Sequence, residues 1–121
     1  MPYGVGKLDS RVNVEKLAAA LGYKTGACTT GNSLDKTDED DKHMQANEAC
    51  VKDMEAAAIA WSCALHNHTP FIGVKVVTDI VDGNVPTQDE FLANLAAASK
   101  SLQEALPKIL DFVIGQNVQD L

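Results

Sequence analysis

Apolar and polar residues recur at helical spacing in some parts of the chain and at strand-like spacing in others. A first helix is predicted from apolar residues at helical spacing, followed by a glycine that can end it: Val12, Leu17, Ala20, Leu21 and Gly22. Residues 23–30 are rich in small and β-branched side chains, which indicates a strand. The acidic run 35–41 is typical of a solvated helix start, because carboxylates favour the positive end of the helix dipole. A short second strand is predicted at residues 50–53, and strong helix formers follow it from Met54 to Trp61.

The remainder of the chain contains the clearest predicted strand and the longest predicted helix. Residues 71–79 are almost continuously apolar, which predicts a central parallel strand covered on both faces. Past a turn at residues 82–84, apolar residues trace one helical stripe: Phe91, Leu95, Ala98, Leu102, Leu106, Ile109 and Val113. Pro107 interrupts this stripe and should kink or split the helix. Strands that alternate with helices predict an α/β domain with a mainly parallel sheet, and 121 residues fit a single domain.

Charge and cysteine content narrow the classes of partner. The formal net charge is −7, from 17 acidic and 10 basic side chains, which argues against a nucleic-acid polymer or an anionic membrane surface as partner. No apolar run approaches the roughly 20 residues that a membrane-spanning helix needs. Three cysteines without a CxxC spacing indicate reduced thiols. A small neutral ligand or a protein partner therefore stays open, and we expect a cytosolic protein, provided that no targeting segment precedes Met1.

Neither of the two metal-like patterns in the sequence predicts a metal site. Counted from Asp35, the sixth position of the acidic run is Asp40 rather than glycine, and the twelfth is Ala46 rather than glutamate, so the run does not match a calcium-binding loop. His66 and His68 have no third ligand at suitable spacing. No metal or other cofactor is expected.

Two carboxylates stand where predicted strands end. Glu55 follows the strand at 50–53, and Asp79 closes the strand at 71–79. Ligands of open α/β sheets bind beyond the carboxyl ends of the strands, so we predict that both side chains belong to one small-molecule site. The structural alternatives are that Glu55 complements a helix dipole and that Asp79 is a turn or capping residue.

Longer motifs surround these two carboxylates. Residues 52–60 read Lys-Asp-Met-Glu-Ala-Ala-Ala-Ile-Ala, and residues 77–83 read Val-Thr-Asp-Ile-Val-Asp-Gly. With the segments 3–6, 30–35, 89–92 and 115–121, this ordered set resembles the methylthioadenosine/S-adenosylhomocysteine nucleosidases of the nucleoside phosphorylase superfamily, most closely the plant type. The resemblance covers essentially the whole chain. It implies a partial three-layer α/β fold in which residues 1–121 form the carboxyl-terminal part of a nucleoside phosphorylase domain.

The resemblance also implies a role for each carboxylate in cleaving the bond between ribose and adenine. Asp79 is expected to protonate N7 of the leaving purine as a general acid, with Thr78 as its hydrogen-bonding neighbour. Glu55 is expected to accept hydrogen bonds from the 2′- and 3′-hydroxyls of the ribose and to favour positive charge on the sugar. The reaction would release adenine from 5′-methylthioadenosine, and from S-adenosylhomocysteine if the larger substituent is accepted, in methionine salvage.

Three further residues are implied to contact the substrate. Met54 resembles the residue that packs against the sugar, although a thioether also serves as core filler. Leu34 and Asp35 resemble the segment whose backbone groups bind the adenine edge, but Leu34 stands where many relatives have an aromatic residue. The loop 85–91 is implied to form part of the wall around the 5′ substituent, and a second subunit of a homodimer the other part.

Family members are longer and have an amino-terminal half with two features that no residue of this chain matches. These are a glutamate that activates the attacking water and a glycine-rich loop beside the ribose. Three hypotheses therefore stay open. The chain is part of a hydrolase, or part of a purine nucleoside phosphorylase, or an inactive fragment that binds a partner or dimerises through the helix around residues 57–65.

Overall fold

The computed structural model describes residues 6–80 and 87–121. In chain order its helices and strands are α1 (Glu15–Leu21), β1 (Ala27–Thr30), α2 (Asp38–Ala46), β2 (Ala49–Asp53), α3 (Ala56–Leu65) and α4 (Thr87–Val113), followed by a 3₁₀ turn at Val118–Asp120. None of the helices in this part of the chain is long and apolar enough to cross a membrane.

The sheet in the described residues consists of β1 and β2, which pair in parallel. Thr29 lies opposite Lys52 and Thr30 opposite Asp53, and the register shifts between Ala27 and Cys28. Parallel neighbours need a crossover connection, and α2 lies within it. The predicted α/β class with a parallel sheet is therefore confirmed.

Local capping signals set the boundaries of the first two helices. Gly22 adopts a left-handed conformation (φ 73°) at the end of α1, as its position after the apolar residues predicts. At the start of α2 the Asp40 amide donates to the Thr37 hydroxyl (3.1 Å), and the Thr37 amide donates to the Asp40 carboxylate (2.9 Å). This reciprocal pair is a capping box, and it confirms the acidic run as a helix start.

The prediction of a covered strand at residues 71–79 is wrong. The structure assigns no strand to residues 71–80, and Val77 and Ile80 are 60% and 61% exposed. At its start the segment is tied by the Phe71 amide, which donates to the Ser10 carbonyl (3.0 Å). An apolar run shows that side chains tend to be buried, but a strand also needs a hydrogen-bonding neighbour, and no residue in 6–80 or 87–121 supplies one along the whole segment.

The alternative that Pro107 splits the last helix is also wrong, because α4 continues from Thr87 to Val113. Ala98 and Ile109 are both buried, and eleven residues of an α-helix make about three turns, so both lie on one face. Keeping both residues buried on one face requires an uninterrupted helix, which outweighs the loss of one backbone hydrogen bond at proline.

The buried apolar core of the described residues lies where α4, α1 and the chain end meet. Its five members are Leu17, Ala18, Ala98, Ile109 and Leu121. The Leu17 amide donates to the Leu121 carbonyl (3.1 Å), which fixes the last residue against the first turn of α1. Helix α3 is strongly apolar but contains no buried residue, and Ile59, Trp61 and Leu65 are exposed on it.

Candidate functional site

An open cleft lies beyond the carboxyl ends of β1 and β2. Its volume is about 230 Å³, just below the range of roughly 300–1,000 Å³ that small-molecule pockets usually have. The residues that line it are Ser33, Leu34, Lys52, Asp53, Met54, Glu55, Thr78, Asp79 and Phe91. Three regions of the chain therefore meet here: the loop after β1, the junction of β2 with α3, and the end of the segment 71–80 with the first turns of α4.

The cleft brings together five of the six residues that the sequence nominates. Leu34, Met54, Glu55, Thr78 and Asp79 line it. The sixth, Asp35, is exposed and is not among the lining residues, and its carbonyl accepts a hydrogen bond from the Ser33 hydroxyl (3.0 Å).

The start of α3 is held by two side chains from the strand ends. The Ala57 amide donates to the Thr30 hydroxyl (2.9 Å), and the Ala56 amide donates to Asp53 Oδ2 (3.0 Å). The Thr30 hydroxyl in turn donates to Asp53 Oδ1 (2.6 Å). These bonds satisfy helix-terminal amides that would otherwise need a capping residue.

Glu55 occupies the position before α3 without capping it through its side chain. Its Oε2 accepts a hydrogen bond from the neighbouring Met54 amide (3.3 Å), and the residue is exposed at the cleft. Since Thr30 and Asp53 serve the helix amides, the carboxylate of Glu55 is left facing the cleft. Glu55 therefore makes no side-chain capping bond to α3.

Asp53 is the least exposed carboxylate at the cleft, with 8% of its side chain accessible, and it pairs with Lys75 at 2.5 Å from Oδ2. Burial raises the pKa of Asp53, but the hydrogen bonds from Lys75, Thr30 and the Ala56 amide outweigh burial and hold the pKa below its usual value. Burial lowers the pKa of Lys75, but the hydrogen bond to Asp53 outweighs it and raises the pKa. Both groups are charged at neutral pH.

Asp79 and Thr78 form the opposite side of the cleft. The Thr78 hydroxyl donates to Asp79 Oδ1 (2.6 Å), and the Asn94 side-chain amide donates to the Thr78 carbonyl (2.9 Å). The second of these bonds connects α4 to the segment that carries Asp79. Asp79 is half-buried and lines the cleft.

The loop after β1 is tied to both α2 and β2. The Lys52 ammonium donates to the Ser33 carbonyl, and the Ser33 hydroxyl donates to Asp40 Oδ2 (3.3 Å). The hydrogen bond from the Thr37 amide lowers the pKa of Asp40. The Thr37 hydroxyl, the charge of Lys52 and the bond from Ser33 lower it further, and together these effects outweigh desolvation. The capping box of α2 therefore also fixes the loop that presents Leu34.

Sequence reasoning missed three of the lining residues and placed one differently. Ser33, Lys52 and Asp53 were not nominated, and Phe91 was assigned to the helical stripe and the wall of the 5′ substituent. The rule that ligands bind beyond strand ends applies to Asp53 as well as to Glu55, because Asp53 is the last residue of β2. The pairing of Asp53 with Lys75 has no signal at the level of sequence spacing.

The sequence pattern of the phosphorylase superfamily matches residues 11–111. The chain belongs to this superfamily. Two curated relatives from Arabidopsis thaliana align with 119 residues, 98% of this chain: a 5′-methylthioadenosine/S-adenosylhomocysteine nucleosidase at 44% identity and a 5′-methylthioadenosine nucleosidase at 40%. The chain covers 46% and 44% of these two proteins, so it spans about half the length of the curated relatives it matches.

Solved structures show the same similarity in three dimensions. A crystal structure of an MTA/SAH nucleosidase superposes with a TM-score of 0.84 at 44% identity, covering 91% of this chain and 45% of that chain. The apo form of Arabidopsis thaliana 5′-methylthioadenosine nucleosidase superposes with a TM-score of 0.85 at 39% identity, over the same shares. The resemblance to these nucleosidases and the predicted fold class are both confirmed.

Proposed function

We propose that this chain forms the carboxyl-terminal, purine- and ribose-binding part of a nucleosidase domain that hydrolyses 5′-methylthioadenosine to adenine and methylthioribose. The observation that carries the proposal is the cleft itself, in which Glu55 and Asp79 face one space beyond the strand ends, beside Met54 and Thr78. The names of the two Arabidopsis relatives support the substrate class.

In the proposed reaction Asp79 donates a proton to N7 of adenine while the bond between C1′ and N9 breaks. The electron pair of that bond remains on the base, which leaves as neutral adenine because N7 has been protonated. Water then supplies the new oxygen on C1′ and releases one proton, which replaces the proton that Asp79 gave to N7. The Thr78 hydroxyl, at 2.6 Å from Asp79 Oδ1, occupies one carboxyl oxygen and leaves Oδ2 as the oxygen that carries the proton.

Glu55 is the proposed ribose anchor. A carboxylate that faces the cleft accepts hydrogen bonds from both ribose hydroxyls, and its negative charge stabilises the positive charge that develops on the sugar. Met54 offers a soft apolar surface for the sugar. We assign no residue of this chain to the activation of water, so the complete reaction belongs to the domain in which this chain is joined to the remaining part.

Several finer assignments follow from the same proposal. We propose a role in methionine salvage, S-adenosylhomocysteine as a second substrate, a homodimer as the assembly, and a cytosolic location. The free thiols of Cys28, Cys50 and Cys63 are compatible with a reducing compartment.

The deciding experiment measures adenine release from 5′-methylthioadenosine by two proteins. One is the 121-residue chain, and the other is a chimera in which the amino-terminal part of the Arabidopsis dual-substrate relative precedes it. We expect the chimera to release adenine and its Asp79→Asn variant to lose most of that activity. An inactive, folded chimera would overturn the proposed function, and activity that survives Asp79→Asn would overturn the proposed acid.

The same assay separates hydrolysis from phosphorolysis. A hydrolase produces methylthioribose at the same rate with and without inorganic phosphate, whereas a phosphorylase needs phosphate and produces the sugar 1-phosphate. We expect no dependence on phosphate.

A second candidate function is association through α3 without catalysis. The exposed Ile59, Trp61 and Leu65 on a helix with no buried residue favour this alternative. Analytical ultracentrifugation of the chain and of its Trp61→Lys variant tests it. A dimer that the substitution dissociates, in a chain whose chimera is inactive, would favour association over catalysis.

A further inference from the structure

Asp53 is the point at which three separate parts of the chain meet. Its Oδ1 accepts from the Thr30 hydroxyl at the end of β1 (2.6 Å), and its Oδ2 accepts from the Ala56 amide at the start of α3 (3.0 Å). The same Oδ2 lies 2.5 Å from the Lys75 ammonium in the segment 71–80. Because only 8% of this side chain is accessible, water competes weakly for these bonds.

The first consequence concerns Glu55. It lies between Asp53 and Ala56, which are joined by a hydrogen bond, and the next amide, that of Ala57, is bonded to Thr30. The backbone on both sides of Glu55 is therefore fixed to the two strand ends. Since the side chain of Glu55 makes no capping bond, the position of its carboxylate depends on this backbone.

The second consequence concerns Asp79. No strand pairing holds residues 71–80 within the part of the chain that the structure describes. The segment is tied at its start by Phe71 and near its end by the bond from Asn94 to Thr78. Between these two points, the ion pair of Lys75 with Asp53 connects the segment to β2. Lys75 lies four residues before Asp79.

The charges at the cleft reinforce this connection. Asp53, Glu55 and Asp79 place three carboxylates around one small space, and like charges repel each other. Lys75 carries a positive charge against the most buried of the three. Removing it would leave Asp53 as an unpaired charge in a poorly hydrated position, which drives rearrangement of the groups around it.

We propose that Asp53, paired with Lys75, is a positioning residue that fixes the two substrate-facing carboxylates, Glu55 and Asp79, relative to each other. The inference rests on the proposed function for its catalytic consequence, but its structural content stands on the contacts alone. The test therefore has one arm that needs activity and one that does not.

The first arm uses the chimera and four variants: Asp53→Asn, Lys75→Met, their double variant, and Lys75→Arg. Misplacing a reacting group by about 1 Å can cost roughly 100-fold in rate, so we expect each of the first two to lower kcat/KM by about 10- to 100-fold. Loss of the acid position lowers kcat and loss of the ribose anchor raises KM, so both constants should change. Lys75→Arg should restore most of the activity, because it restores the pair.

Two features of this arm separate positioning from general destabilisation. The double variant should be no worse than the poorer single variant, because both substitutions break one interaction. The matched control is Lys42→Met, which removes a lysine from the exposed pair with Glu39 on α2 (3.7 Å) and should leave kcat and KM unchanged. Additive losses, or a Lys75→Met variant indistinguishable from Lys42→Met, would overturn the proposal.

The second arm uses the 121-residue chain with Asp79→Asn, which removes the carboxyl group that lies within residues 78–80 themselves. Backbone amide signals are followed by NMR while the pH is lowered through the titration of Asp53. We expect the amides of Ala56 and of residues 78–80 to shift with one common midpoint. In Lys75→Met the Ala56 signal should still follow Asp53, and residues 78–80 should not. Independent midpoints in the Asp79→Asn chain would overturn the positioning role even if the chimera is active. A common midpoint together with an inactive chimera would overturn only the proposed function.

Discussion

The Thr37 hydroxyl accepts from the Asp40 amide at the start of α2. The carboxylate of the same Asp40 accepts from Ser33 in the loop that presents Leu34. Replacing Thr37 by alanine removes the acceptor for the Asp40 amide. We predict that Thr37→Ala lowers the free energy of unfolding by about 1 kcal/mol, the usual cost of losing a capping residue. Urea denaturation followed by circular dichroism measures the change. Thr25→Ala, in an exposed segment outside helices and strands, is the matched control, and an equal effect at both positions would contradict the capping role.

The shifted pKa values of three residues predict how stability depends on pH. Hydrogen bonding lowers the folded-state pKa of Asp40, and it outweighs burial to lower that of Asp53. The stability that these two carboxylates contribute is therefore present above the ordinary carboxylate pKa of about 4, and it is lost as the pH falls through the folded-state pKa values. The pKa of Lys75 is raised because its bond to Asp53 outweighs burial. Its contribution is present below the ordinary lysine pKa of about 10.4 and is lost as the pH rises through the folded-state value.

The measurement is the free energy of unfolding across the pH range, for the chain and for Asp53→Asn. The unmodified chain should be most stable between these two limits, and the variant should lose less stability at each end. A variant with the same pH dependence as the unmodified chain would show that the pair contributes nothing.

For individual residues, the sequence alone identifies the side chains that line the cleft better than it identifies the side chains that hold them in place. Glu55 and Asp79 follow strand ends, which is a local signal, and both line the cleft. The partnership of Asp53 with Lys75 joins residues 22 positions apart, and nothing in their spacing encodes it. Supporting contacts of this kind become visible only when the chain is folded.

The elements of the chain differ in how far local sequence determines them. Gly22 ends α1 and the capping box starts α2 because these are interactions between residues close in sequence. Residues 71–80 fail as a strand because pairing needs a distant neighbour, and α4 passes through Pro107 because Ala98 and Ile109 are buried on one face. Tertiary contacts decided both exceptions.

The contact between the chain end and α1 yields a prediction for Leu121. This side chain is 6% exposed, and its carbonyl accepts from the Leu17 amide. Truncating a buried leucine costs about 2–5 kcal/mol, and this core has few members, so Leu121→Ala should produce a loss near the lower end of that range. Leu110→Ala on α4 makes the same truncation at a position that is 53% exposed and should cost much less. Thermal unfolding compares the two, and equal losses would show that the chain end does not belong to the core.

The described residues bury little apolar surface for their number. Fifteen large apolar side chains are exposed among the described residues, whereas five apolar residues are buried. Parallel sheets occur almost only with both faces covered, yet β1 and β2 form a two-stranded sheet whose flanking helix α3 has no buried residue. Together with relatives of about twice the length, this favours a domain completed by further polypeptide.

We therefore predict that the separately produced amino-terminal part of the Arabidopsis relative stabilises this chain. A ligand that binds only the folded state at 100 times its dissociation constant adds about 2.7 kcal/mol to the free energy of unfolding, and the gain grows with concentration. Differential scanning fluorimetry at increasing concentrations of that fragment measures the effect. Serum albumin at the same concentrations is the control, and an unfolding temperature independent of the fragment would contradict the prediction.

The parallel pairing of β1 with β2 also sets the order in which the chain folds. The hydrogen bond from Thr30 to Asp53 closes a loop of 23 residues, and closing such a loop costs entropy before any contact repays it. Helix α2 lies inside that loop and needs only its own capping box to start, so we expect it to form first and to shorten the distance that the strands must close. The residues that line the cleft are not brought together until β1 and β2 pair. The cleft is therefore among the last features of the chain to form, and its appearance should follow the rate of strand pairing rather than the rate of helix formation.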